Sequence, residues 1–428
     1  MGSFRVVEHK LPCQYIREYP QALAGEQEDT LYLAVKQYIP ADNTSPHPND
    51  LTIIAAHANS FPKELYEPLW EDLLVRSRNL NFRIRGIWIA DVANQGASGV
   101  LNEARLGNDP SLADFSRDLL YLINLKRDEM PRPIIGIGHS MGGQNLIGTA
   151  LMHPRLFTGL ILLDPVLQEK WMENRAGVAD LRPVQLATFR RNSWPSREAA
   201  IAECKRSPFY KSWDPRALDL WCKYGLRELN VTSDDTASSP NRPVVLTTTP
   251  SQESFTFLRP NFNGYGTHKK PTDRKTHADL DPKWPHIYPF YRPEVHATFQ
   301  RLPELRPPVL YVFGSSSHIS SAEQNTKKLA VTGIGVGGSG GPPEGRVKGI
   351  TLEGVGHMIP MEAVTRSAEI IGGWIDQELS IWRAEEIRFR EMWSKKSLAE
   401  KQNVDEEWMK MVGGPPRKDR KRTGGTKI

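Results

Sequence analysis

The sequence predicts an α/β protein, a mostly parallel central sheet flanked by helices with an inserted, mainly helical cap. Three observations predict it. Short apolar runs of strand length alternate with amphipathic helical stretches both before residue 165 and after residue 295, a succession that builds a parallel sheet with right-handed crossovers. One such run, Ile134–Ile137, leads without a break into Gly138-His139-Ser140-Met141-Gly142 and then into helix-compatible Gln144–Met152. Between the two alternating regions, residues 166–295 lose the pattern. The expected organisation is a core formed by 1–165 and 296–380, a cap at 166–295, and a C-terminal helix with a basic tail at 381–428.

Residues 1–50 open with a strand pair, in which Thr30–Tyr38 is rich in strand formers and Asp42–Asp50 is a turn-rich loop. Leu51–His57 reads as a central parallel strand. It ends in His57-Ala58-Asn59-Ser60-Phe61-Pro62, with a helix starting near Glu64. Phe82–Ala90 alternates as the next strand and leads to Asp91–Ser98. Leu112–Leu125 places Leu112, Phe115, Leu119, Leu122 and Ile123 at helical spacing and would cross back to the Ile134 strand. Phe157–Leu163 is a further buried strand, ending in Asp164-Pro165.

In the cap, helical pieces are expected at Val184–Arg190, Ser196–Cys204 and Asp214–Leu229, followed by a strand-like Val244–Thr249 and a Pro-, His- and aromatic-rich stretch, Arg259–Pro293. A structureless loop of that length is uncommon inside a compact domain. Trp213, Trp221, Phe255, Phe257 and Tyr265 are expected to pack the cap rather than to bind ligand. The core resumes with strand Pro308–Gly314. The last strand, Gly345–Glu353, runs into Gly354-Val-Gly-His357, with a helix at Glu362–Ile375. Ile381–Lys401 reads as a separate charged helix and Gly413–Ile428 as a disordered tail.

Hydrophobic content of 39% and charged content of 25% are those of a soluble globular protein. No run reaches the roughly 18 apolar residues of a membrane span, and the N-terminus lacks the apolar region of a secretory signal. Cys13, Cys204 and Cys222 are scattered, which fits a reducing compartment and offers no metal-ligand spacing. No cofactor and no metal are expected. The net charge of +5 belongs to residues 411–428, where six Lys and Arg face a single Asp, so the remaining body is formally neutral. A nucleic-acid partner is not expected on that balance. Gly333–Gly338 matches G-x-G-x-x-G, but no strand precedes it and no helix follows, so it reads as a flexible glycine loop rather than a dinucleotide site.

Chemistry concentrates at four places. A Ser flanked as Gly138-His139-Ser140-Met141-Gly142 between strand and helix sits at a strained turn that lifts its hydroxyl above the sheet, and the glycines let strand and helix approach closely. Acyl transfer from such a Ser needs two backbone N–H donors aimed at the developing oxyanion. Met141 follows the nucleophile, and Asn59 lies in the loop after the preceding core strand; the other reading of Asn59 is a cap for the next helix. Asp164 stands at the carboxyl end of a parallel strand, the edge where such sheets bind ligands, and is the candidate triad acid. His357, in a Gly-rich loop after the last core strand, is the candidate base, with His318 its nearby rival.

Together, Gly138–Gly142, His57–Ser60, Leu163-Asp164-Pro165 and Gly356-His357 resemble the α/β-hydrolase superfamily over about residues 30–380. His57–Tyr66 and the loop into His357 are further similar to fungal peroxisomal hydrolases, a group that includes the yeast peroxisomal lipase and hydrolases of host-selective toxin biosynthesis. The resemblance implies an α/β-hydrolase fold and a triad of Ser140, His357 and Asp164, with Met141 and Asn59 at the oxyanion hole. One departure stands out. Most members carry the acid after the strand matching Val309–Phe313, where this chain reads Gly314-Ser-Ser-Ser-His-Ile-Ser-Ser with no carboxylate before Glu323. Some place it one strand earlier, where Asp164 stands; Glu323 is the reserve.

The expected function is lipase-like serine hydrolysis of an ester or acyl thioester, on a small-molecule acyl substrate of fungal lipid or secondary metabolism. A C–C bond hydrolase using the same triad and a non-catalytic binding protein on this fold stay open. Epoxide hydrolases and dehalogenases of the superfamily carry Asp at the elbow, where this chain has Ser140. The last residues, Thr426-Lys427-Ile428, keep the small–basic–aliphatic pattern of an S-K-L-type address while departing from it at two positions. They point to a peroxisomal import receptor as partner, the alternatives being a nuclear-localisation-like basic run or an inert tail on a cytoplasmic protein.

Overall fold

The structure, a computed structural model, describes residues 2–169, 181–229, 242–262, 273–280 and 289–414. The first half of the chain alternates strands β1 (Phe4–Pro12), β2 (Tyr32–Pro40), β3 (Leu51–Ala56), β4 (Ile84–Ala90), β5 (Ile134–His139) and β6 (Gly159–Leu163) with helices α1 (Glu67–Ser77), α2 (Gly96–Asn102), α3 (Leu112–Leu125) and α4 (Met141–Met152). Between β6 and the next core strand lie α5 (Arg182–Phe189), β7 (Ser193–Trp194), α6 (Arg197–Arg206), α7 (Pro215–Tyr224), β8 (Leu226–Glu228), β9 (Val244–Leu246), α8 (Pro250–Phe257), β10 (Arg259–Pro260), β11 (Phe290–Tyr291) and α9 (Pro293–Gln300). The core is completed by β12 (Val309–Gly314), α10 (Ala322–Val331), β13 (Val347–Leu352), α11 (Ile359–Glu362) and α12 (Val364–Ser394).

Eight strands form one sheet in the order β1-β2-β4-β3-β5-β6-β12-β13. β1 and β2 pair antiparallel, as do β2 and β4; the remaining neighbours are parallel. Every residue of β3, β5, β6 and β12 is buried, as parallel strands covered on both faces must be. The period of two sorts their side chains. Ile53, Ile135 and Ile161 face a layer with Leu69, Trp70, Ile371 and Ile375 from α1 and α12. Ile54, Leu160 and Leu162 face Leu122, Leu146 and Ile147 from α3 and α4.

This topology places the site. From β3 the chain runs to β4 on one side, then crosses through α3 to β5 on the other, so the strand order reverses between β3 and β5, where open α/β sheets leave a ligand crevice. Ala56 pairs with Gly138, His139 with Leu163, and Gly314 with Leu352, so the segments after these strands emerge at one edge.

Three expectations are corrected. The helix expected at Asp214–Leu229 stops at Tyr224, and Leu226–Glu228 becomes β8, paired with β9; the apolar spacing suits both states, and the partner strand decides. Glu362–Ile375 and Ile381–Lys401 do not form two helices. α12 is continuous, because its buried stripe runs on through Ile371, Ile375, Glu378 and Leu379 and no Gly or Pro interrupts residues 376–380. The glycine loop expected to be flexible is stitched down: the N–H groups of Gly333, Gly335 and Ser339 donate to the carbonyls of Leu302, Pro303 and Leu305. At Gly338 a Cβ would lie 2.4 Å from the Gly333 and Pro303 oxygens, so the glycine permits a close approach rather than mobility.

A second compact unit begins at Ser380. It contains the end of α12 and two short helices, Leu398–Gln402 and Glu406–Val412, the first opened by a Ser397–Glu400 capping box. No helix among the described residues is long and apolar enough to cross a membrane. Tyr265, the basic run at 417–422 and Thr426-Lys427-Ile428 lie outside the described residues.

Candidate active site

Ser140 stands between the last residue of β5 and the first of α4 with φ 56° and ψ −116°, a conformation that costs a non-glycine residue free energy and persists only where its surroundings hold it. Its N–H donates to the Leu163 carbonyl at 2.9 Å, and its own carbonyl accepts from Gly143 and Val166. A Cβ on Gly142 would lie 2.1 Å from the Ala56 carbonyl oxygen, and one on Gly138 2.6 Å from that of Gly142. Both flanking glycines are therefore needed for α4 to sit directly on β3 and β5.

The structure brings Ser140, His357 and Asp164 together. His357 Nδ1 lies 2.6 Å from Asp164 Oδ2, and its Nε2 2.9 Å from Ser140 Oγ. A carboxylate only accepts, so Nδ1 carries the proton toward Asp164 and Nε2 is left to accept from the Ser140 hydroxyl. Asp164 is fully buried, with φ 44°, and its N–H is tied to the Val312 carbonyl. Burial alone would raise its carboxyl; hydrogen bonds from His357, Ser317 and Ser320 hold it below the usual carboxylate range. Those two serines belong to the loop that lacks a carboxylate in the sequence. Their role was missed there, although the run of hydroxyls was its signal. Glu323 is exposed and paired with Lys327 at 3.1 Å, away from this constellation. His318 is exposed too, its ring 5.3 Å from that of His357.

Among the described residues, the backbone N–H groups of Asn59 and Met141 have no acceptor. Met141 N–H opens α4, where the helix dipole favours negative charge. The Asn59 side chain does not cap the following helical turn, which starts after Pro62 without a side-chain bond; its Oδ1 accepts from Gln95 and its Nδ2 donates to the Glu253 carbonyl. Three buried side chains of the His57–Tyr66 stretch, to which the sequence assigned no role, steady this loop. His57 donates from Nδ1 to the Ala58 carbonyl and accepts the Val92 N–H on Nε2. The Tyr66 hydroxyl accepts the Ala58 N–H and meets His139 Nδ1 at 2.9 Å, and Lys63 pairs with Asp91 at 2.8 Å. Their partners Val92, His139 and Asp91 lie at or just beyond the ends of other strands, so these contacts are not legible locally.

Phe61 of the same loop packs on Trp213 and Trp221, each ring 5.7 Å away, and both tryptophans are buried. Phe255 and Phe257 are half-buried. Beside the elbow, Met141 joins Leu112, Phe115 and Val295 in a separate apolar cluster. No group of three or more His, Cys, Asp or Glu among the described residues is arranged to hold a metal.

Residues 53–371 match the model of the Alpha/beta hydrolase family. The chain is 40% identical over 441 residues to a type I acyl-CoA thioesterase, mpaH', of Penicillium brevicompactum, an alignment covering 100% of this chain and 99% of the relative. It is 39% identical to a type I acyl-CoA thioesterase, mpaH, of Penicillium roqueforti, over 97% of this chain and 96% of that one. An abhydrolase domain-containing protein of Alternaria alternata is 28% identical over 66% of this chain and 98% of its own length. Among solved structures, a peroxisomal alpha-beta-hydrolase from Saccharomyces cerevisiae superposes with a TM-score of 0.68 at 16% identity, covering 95% of this chain and 100% of that one; this is a likeness of fold.

Proposed function

The chain belongs to the α/β hydrolase family, and from that premise we propose that it is a serine hydrolase that cleaves an ester or acyl thioester through Ser140, His357 and Asp164. One observation carries the reading: His357 spans Ser140 Oγ and the buried Asp164 carboxylate at 2.9 and 2.6 Å. In the reaction, His357 Nε2 takes the Ser140 proton as Oγ attacks the acyl carbonyl, and Asp164 orients the ring and stabilises the imidazolium. The N–H groups of Met141 and Asn59 receive the oxyanion, one such donor being worth about 10²–10³ in turnover. The imidazolium protonates the departing alcohol or thiol. Water, deprotonated by the same imidazole, then releases the acid and restores Ser140.

Within 166–295, the described elements α5 to α9 form the proposed cap over this site. The names of the two Penicillium relatives support a thioester over a simple ester. The peroxisome is the compartment we assign, through recognition of Thr426-Lys427-Ile428 by an import receptor; microscopy of a fluorescent fusion with those residues intact or deleted decides that.

The test is fluorophosphonate labelling read by intact mass. The wild type takes one label, Ser140→Ala takes none, and His357→Ala and Asp164→Asn label far more slowly. An unlabelled wild type would sink the proposal and leave a binding protein on this fold. Hydrolysis of a panel of simple esters, acyl thioesters and diketones then separates acyl transfer from C–C cleavage.

A further inference from the structure

The Asn59 N–H does not hold itself in place. Of the three consecutive N–H groups at 58–60, that of Ala58 is tied to the Tyr66 hydroxyl at 2.8 Å and that of Ser60 to Gln95 Oε1 at 2.7 Å. Only that of Asn59 remains without an acceptor among the described residues. Ser60 has φ 75°, a left-handed conformation that is strained for a non-glycine residue and persists only where its surroundings enforce it. What enforces it comes from two distant segments. Gln95, with no exposed surface, accepts from Ser60 N–H and donates to both Asn59 Oδ1 and Thr256 Oγ1, at 2.6 and 3.0 Å. Glu253 on α8 accepts from Ser60 Oγ at 3.0 Å and from Arg190 Nη1 at 2.6 Å, while its backbone carbonyl takes Asn59 Nδ2 at 3.2 Å. Both ends of the Asn59 side chain and both polar groups flanking its N–H on Ser60 are thereby fixed, and Thr256 locks Gln95 to the same helix.

We propose that Gln95 and Glu253 are positioning residues that hold the Asn59 N–H on the oxyanion, so that α8 is a fixed wall of the active site rather than part of a lid that lifts away. This rests on the reading of Ser140 as nucleophile and Asn59 as oxyanion donor. Neither residue reaches the reacting atoms; each acts through the Asn59–Ser60 turn. Because the oxyanion exists in the transition state and not in the bound substrate, misaiming the donor slows turnover without weakening substrate binding.

The experiment uses the full chain, with active sites titrated by fluorophosphonate, p-nitrophenyl butyrate as substrate and a trifluoromethyl ketone of matching chain length as transition-state analogue. In Gln95→Leu and Glu253→Ala, kcat per titrated site falls about 10- to 100-fold, short of the loss of a whole donor, with KM within about twofold. Affinity for the ketone falls by the same factor as kcat. Glu253→Gln, which can still accept from Ser60, recovers most of the loss. Should Gln95→Leu or Glu253→Ala not fold, Ser60→Ala removes a single hydroxyl contact to Glu253 and shows a smaller drop of the same kind. Unchanged kcat per titrated site, or a rise in KM alone, would overturn the proposal while leaving the nucleophile intact. A wild type that neither labels nor hydrolyses the ester removes the serine-hydrolase reading itself, and this proposal with it.

Discussion

His139, between Gly138 and the candidate nucleophile, has only one consistent protonation. Its Nε2 lies 2.9 Å from the His357 carbonyl, which can only accept, so Nε2 bears the proton. Burial and the nearby His357 ring push its pKa down to about 3, so the imidazole is neutral and Nδ1 accepts. Burial pushes the Tyr66 hydroxyl up; it keeps its proton, donates to Nδ1 and accepts the Ala58 N–H. A line of hydrogen bonds therefore joins the loop at Ala58 to the backbone of His357. Replacing the ring by an apolar side chain leaves the His357 carbonyl without its donor and the Tyr66 O–H without an acceptor, so His139→Leu should lose about 1–3 kcal/mol at neutral pH. The sign of the pH effect is fixed as well. A histidine whose folded pKa lies below its unfolded value costs stability as pH falls from about 6.5 toward 3, because the unfolded chain binds the extra proton. The gap between wild type and His139→Leu in urea unfolding should therefore narrow on acidification; a gap that widens would refute the neutral buried imidazole. Ser140 was legible in the sequence because an elbow is a local conformation written in five residues, and Asp164 and His357 because each follows a core strand. His139 and Tyr66 were not, since their partners lie 218 and 73 residues away and only the sheet register brings them together.

Elements differ in how far local pattern decides them. α3 occupies Leu112–Leu125, the range its apolar spacing predicts, because both of its faces are assigned by one stripe. Asp214–Leu229 carries the same kind of spacing, yet its end, Leu226–Glu228, became a strand, since β9 supplies ladder partners that no local window contains. Glycine discriminates these levels experimentally. Gly142 and Gly373 both sit inside helices, yet a Cβ on Gly142 meets the Ala56 carbonyl at 2.1 Å, whereas one on Gly373 meets nothing within 4 Å. Gly373→Ala in α12 should keep full fluorophosphonate labelling and gain about 0.5–1 kcal/mol, the helical cost of glycine. Gly142→Ala should push α4 off β3, opening the elbow, and lose labelling even where the variant stays folded by circular dichroism. Equal labelling of the two variants would mean that the close approach of α4 to β3 is not what shapes the elbow.

At the scale of the whole molecule, the formally neutral body conceals charges paired in its interior. Lys63 with Asp91 and Arg17 with Asp118 are buried pairs within the core. A third cluster centres on Arg259, immediately after α8, and ties β10 to the N-terminal half. Arg259, 2% exposed, grips Asp109 through Nε and Nη2 at 2.7 and 2.6 Å and Asp279 through Nη1 at 2.7 Å, while its Cζ lies 3.5 Å from the centre of the Tyr19 ring. Removing one partner of a buried pair strands the other charge, so Arg259→Met should cost about 3–5 kcal/mol in urea unfolding. Asp109→Asn in the same chain relieves one stranded carboxylate and should restore part of that loss, as coupled neighbours do. Because Arg259 and Asp109 are buried, most of the loss should persist at high ionic strength, unlike that of an exposed pair. Arg259 stands two residues beyond the end of α8, so the same variant should lose turnover on warming before it unfolds, as the Glu253 contacts to Ser60 loosen. Turnover that holds up to the unfolding temperature, or a cost below about 1 kcal/mol, as for a surface pair, would show that α8 is seated by its own contacts and that the Arg259 cluster does not hold it.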